Sequence, residues 1–143
     1  MAETQLTSQT QLGLVGFEAK AAHAQEDGSG TLLARVRDVA GTYITQSGIS
    51  TITWDLFDLS SATPTTAVLS AQSLTVANVV FDSLTRDERW QVDDVGYNFR
   101  ATLATTVFSV GDHLYLWEGK FTNSSSEVFF GAVNVYASPI STS

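Results

Sequence analysis

Apolar and polar positions alternate with period two through much of the chain, which is the mark of half-buried β-strands. Ile49–Asp58 gives the clearest run: Ile52, Trp54 and Leu56 fall on one face, Thr51, Thr53 and Asp55 on the other. Leu114–Thr122 alternates as strongly, with Tyr115, Trp117 and Phe121 on one face and Leu116, Glu118 and Lys120 opposite. Glu127–Tyr136 groups Phe129, Val133 and Val135, and Thr31–Arg37 reads as the first strand. Thr65–Leu69, following Pro64, fits an edge strand, since proline cannot donate to a ladder. Leu74–Phe81 and Tyr97–Thr102 complete about seven strands. Asp38–Thr42, Ser60–Pro64, Ser109–Asp112 and Asn123–Ser126 supply turn signals between them. Ser83–Trp90 fits one or two helical turns, or a connecting loop pinned by Trp90. No sustained helical period and no long internal repeat occurs. Short strands at close spacing with turns between them predict an all-β Greek-key sandwich or a small barrel.

Residues 1–30 differ. Met1–Gln11 is polar, Leu12-Gly13-Leu14-Val15-Gly16-Phe17 is a short apolar patch broken by glycines, and Glu26-Asp27-Gly28-Ser29-Gly30 reads as a linker. The expected organisation is an extended N-terminal arm over 1–30, a sandwich over 31–137, and a polar tail over 138–143. On this reading Leu12, Leu14, Val15 and Phe17 dock on an adjacent subunit, because they are too apolar to favour free solvent.

Composition narrows the function. At 143 residues one domain can bury a core without staples, and no cysteine is present to form a disulfide, a thiol nucleophile or a thiolate metal site. Fifteen acidic residues against seven scattered basic ones give a net charge of −8, which argues against a nucleic-acid partner. No apolar run is long enough to span a membrane, and the polar start lacks the pattern of a signal peptide.

Candidate chemistry is sparse. His23 and His113 lack the surroundings of a triad, and no Gly-x-Ser-x-Gly elbow or phosphate loop exists. Asp93 and Asp94, with Asp87 and Glu88 nearby, are the best metal candidates, but calcium-loop spacing is missing. The expected arrangement has Asp94 bonding local backbone and Asp93 solvated. Trp54 and Trp117 are expected to fill the core. Trp90 and Tyr43 are left as the aromatics that could stack on a sugar. The expectation is therefore a protein that is not an enzyme, with no cofactor and no metal.

Two features resemble immunoglobulin-like sandwiches: Trp54 on an early central strand, and Asp94-Val95-Gly96-Tyr97 entering a late one. The second is similar to a tyrosine corner, which implies a Tyr97 hydroxyl bonded back to nearby backbone. The sheet-linking cysteines of antibody domains are absent. Trp90-Gln91-Val92-Asp93-Asp94-Val95-Gly96-Tyr97-Asn98-Phe99-Arg100 and Gly111-Asp112-His113-Leu114-Tyr115 resemble small proteins encoded among tailed-bacteriophage and prophage structural genes. That likeness, over roughly residues 31–136, implies a bacteriophage virion structural protein made in the host cytoplasm, foremost a capsid decoration or cement subunit. Its partners would be other virion proteins and further copies of itself in a homo-oligomer, such as a trimer at a local three-fold. The alternatives are a neck, tail or baseplate component, or a carbohydrate-binding module.

Overall fold

The computed structural model describes residues 16–140. Their elements are β1 (Phe17–Glu18), β2 (Ala22–Gln25), β3 (Gly30–Val36), β4 (Ile49–Asp58), β5 (Ala67–Leu74), a one-turn helix α1 (Val76–Val79), β6 (Val80–Thr85), β7 (Tyr97–Leu103), β8 (His113–Asn123) and β9 (Val128–Ser138). They form two sheets, so the all-β sandwich is the observed architecture. One sheet has the order β1-β3-β7-β6 and the other β2-β9-β8-β4-β5. Pairings are antiparallel except β2 with β9, which runs parallel.

The period-two pattern places the core. Ile52, Trp54 and Leu56 of β4, Tyr115, Trp117 and Phe121 of β8, and Val133 and Val135 of β9 face Leu32, Ala34 and Val36 of β3 and Phe99 and Ala101 of β7; all are buried. Trp117 stands at the centre, with Phe99 5.8 Å away and Phe17 stacked at 6.4 Å. Aromatic pairs at these separations add to the burial of their area. The β8–β9 hairpin closes on Asn123, whose Oδ1 accepts from the backbone N–H groups of Ser125 and Glu127 while its Nδ2 donates to Glu127 Oε1. Asparagine suits such a turn because its side chain imitates backbone.

Three expectations need correction. The boundary at residue 30 falls inside the sandwich, because β1 pairs with β3 and β2 pairs with β9. Phe17 is buried in this domain's own core, beside Trp117 and Phe121, instead of reaching a neighbour. Leu12, Leu14 and Val15 lie outside the described residues. The strand expected over Leu74–Phe81 is split, since β5 runs on to Leu74 and α1 intervenes before β6. Over Ser83–Trp90 the connecting-loop alternative is the one observed from Arg86 onward, after β6 ends at Thr85, with Trp90 buried and its backbone N–H donating to Asp87 O.

Candidate interaction surface

The polar groups that sequence reading singled out are mostly committed to holding the chain together. Arg35, at the end of β3, is only 4% exposed. Its guanidinium donates to both carboxylate oxygens of Asp93 at 2.9 and 2.8 Å, to Glu18 at 3.1 Å and to the carbonyl of Gly96. Trp90 lies within cation–π distance of it, and the indole N–H donates to Asp93 Oδ1 at 3.0 Å. Hydrogen bonding to Arg35 holds the Asp93 carboxyl well below the usual range. The expected roles of the two aspartates are thus reversed: Asp93 is the pinned residue, whereas Asp94 contributes its backbone carbonyl to Arg86. Trp90 is buried.

Tyr97 is fully buried at the start of β7, and its hydroxyl donates to Asp87 Oδ2 at 2.7 Å and accepts from Arg89. The expected bond to backbone is replaced by a bond to a carboxylate from the preceding loop. Hydrogen bonds from Arg89 and Tyr97 lower Asp87 to about 2. His113 lies 2.6 Å from the buried Asp58 through Nδ1, and Asp58 Oδ1 also accepts from Ser60 N–H. His23 packs against Tyr136, with ring centroids 5.9 Å apart. Asn98, buried on β7, braces β3 by accepting from Val36 N–H and donating to Val36 O. Among the described residues no group of three or more His, Asp or Glu side chains is placed to hold a metal, and no helix is long and apolar enough to cross a membrane.

The two outer faces of the sandwich differ. On the four-stranded sheet, Thr31 and Thr102 hydrogen bond across β3 and β7, and the Arg100 guanidinium covers Phe81 at 5.0 Å. The five-stranded sheet instead presents large apolar side chains to solvent. Phe130 is 49% exposed, Val128 42%, Leu114 38% and Tyr136 37%. Register arranges them in rows: Leu114 lies opposite Tyr136, Leu116 between Phe57 and Asn134, Glu118 between Asp55 and Ala132, Lys120 between Thr53 and Phe130, and Thr122 opposite Val128. A shallow groove of about 230 Å³ runs here, lined by Thr53, Asp55, Ala71, Glu118, Lys120 and Phe130. Burial and the carboxylate of Asp55 directly across the strand raise the Glu118 carboxyl above its ordinary value. Isolated exposed apolar residues need no explanation; here the apolar residues form two groups on one face, Leu114, Leu116, Phe57 and Tyr136 on one side of the charged Asp55–Glu118 row and Phe130 and Val128 on the other.

Sequence reading assigned Leu116 to the outer face but missed the surface. The signal was present: β9 carries Phe129 and Phe130 in succession, so one aromatic must point outward, and β8 places Leu114 and Leu116 on its polar side. A second depression, of about 460 Å³, lies beside Gly16, Arg37, Val39, Gly41 and Phe129. Compared with known proteins, the chain matches no family model, no curated protein and no solved structure.

Proposed function

We propose that this chain is a non-enzymatic virion structural protein of a tailed bacteriophage or prophage, foremost a capsid decoration or cement subunit. We propose further that it is held in its assembly through the outer face of the five-stranded sheet. The observation that carries this reading is the set of exposed large apolar side chains on that face, against a polar and cation-covered outer face on the other sheet. The resemblance of Trp90–Arg100 and Gly111–Tyr115 to proteins of phage structural genes supports the virion setting.

The finer fold reading is an immunoglobulin-like Greek key. Its support is the strand order. With β3, β4, β6, β7, β8 and β9 taken as strands B, C, D, E, F and G, the sheets read A-B-E-D and A′-G-F-C-C′, with Trp54 buried on C. One departure is that Tyr97 then opens strand E, whereas a tyrosine corner sits near the start of F.

The neck, tail and baseplate readings share the same surface and differ in copy number. The carbohydrate-binding reading has less support, because Trp90 is buried and the partly exposed ring of Tyr43 carries the Arg37 guanidinium at 5.1 Å. Quantitative mass spectrometry of purified particles tests the proposal. Hundreds of copies per particle are expected; a few copies would move the protein to the neck or tail, and its absence would end the virion reading.

A further inference from the structure

We infer that the outer face of the five-stranded sheet pairs with the same face of a second copy of this chain, about a two-fold axis crossing the strands at the level of Gly119. The inference rests on the reading of that face as an interface and goes beyond it by naming the occupant and the symmetry. Two identical sheets can meet face to face only if the two-fold axis lies in the plane between them. An axis across the strands turns β8 of one copy onto β8 of the other and exchanges the rows on either side of Gly119.

Charge favours that exchange. Asp55 and Glu118 are like charges directly opposite each other on adjacent strands, an arrangement that is destabilising when left alone. Lys120, one row away, is exposed and has no ion-pair partner among the described residues. The rotation carries each Lys120 over Glu118 of the other copy and forms two symmetric pairs, as an isologous contact requires. Shape agrees, because Phe130 shares the row of Lys120 and Ala132 shares the row of Glu118. The same operation seats each protruding Phe130 on the other copy's small Ala132. An axis along β8 would instead set Lys120 against Lys120. The area reaches the lower end of the range for stable interfaces, about 600–1,000 Å² per partner: four strands at ~4.8 Å spacing and about nine residues at ~3.4 Å give roughly 600 Å² of flat surface. A standard interface takes about 800 Å² per partner.

The test is sedimentation of the full chain from micromolar to millimolar concentration, with circular dichroism confirming that each variant is folded. The wild type should show a reversible monomer–dimer equilibrium. Phe130→Asp should sediment as a monomer. Lys120→Glu and Glu118→Lys should each weaken the dimer about tenfold or more, and the double variant should recover much of the loss, because the exchanged charges meet again across the axis. A dimer indifferent to all three positions, or a double variant weaker than both singles, would overturn the inference. So would a wild type that stays monomeric. In that last case, loss of Phe130→Asp from particles would leave the surface reading standing with another partner, and normal incorporation would remove both.

Discussion

Replacing Asp93 by Ala tests whether a single carboxylate ties the 86–96 loop to the sandwich. The side chain accepts four hydrogen bonds, two from Arg35 and one each from Trp90 Nε1 and Val95 N–H. Its removal leaves the buried guanidinium with Glu18 and the Gly96 carbonyl, and leaves a buried indole N–H without an acceptor. Breaking a buried pair outright costs about 3–5 kcal/mol. Glu18 still neutralises Arg35, and the Asp93 side chain is 33% exposed, which lowers the Coulomb part. The orphaned N–H adds a penalty of about 1–3 kcal/mol. Together these give roughly 3 kcal/mol, or a fall in Tm of roughly 10 °C for a chain of this length. Urea titration at neutral pH measures it, with an unchanged slope showing that the transition stays two-state. Asp94→Ala is the internal control, because only the Asp94 backbone carbonyl bonds Arg86; it should cost less than about 0.5 kcal/mol. Equal losses for the two variants, or a loss below about 1 kcal/mol for Asp93→Ala, would refute the argument.

Further outcomes follow from packing and charge. Trp117→Ala should cost about 3–5 kcal/mol in denaturant titration, because the ring at the centre of the core leaves a large cavity. Trp117→Phe should cost clearly less, since the buried indole N–H has no acceptor among the described residues to lose. Phe17→Ala should destabilise the isolated domain by about 3–5 kcal/mol, as a core residue does and a docking arm does not. Gly131→Ala should cost at least about 1–3 kcal/mol by calorimetry, because a Cβ there would overlap the Phe17 ring. Asp87 and Asp93 both have lowered folded-state values, so the stability they add is complete above the ordinary aspartate range near 3.8 and is lost as pH falls from there, for Asp87 through about 2 and for Asp93 lower still. Acid unfolding followed by tryptophan fluorescence should therefore steepen below about pH 4, and less so in Asp93→Asn.

The long strands were legible because each has one wet face: β4, β8 and β9 write their inward positions as alternating large apolar residues. β1 and β2 were not, because two and four residues cannot establish a period, and Phe17 among glycines reads as well for an arm as for a strand. The break at Val76–Val79 was hidden by valines that suit a strand better than a helix; tertiary packing overrides that preference. The Arg35–Asp93 pair joins residues 58 positions apart, and nothing local announces it. The exposed apolar residues on the outer face of the five-stranded sheet were obscured for a different reason. Alternation identifies two faces, but when both carry apolar residues the pattern alone does not say which faces water.

Particle rebinding tests most directly whether the outer face of the five-stranded sheet holds the protein in an assembly. Wild-type protein and Phe130→Asp, matched in Tm because residue 130 is 49% exposed, would each be added to particles lacking the chain and recovered by centrifugation. The wild type should be retained on particles and the variant left in the supernatant; equal retention of both would contradict the claim that this face holds the protein in its assembly.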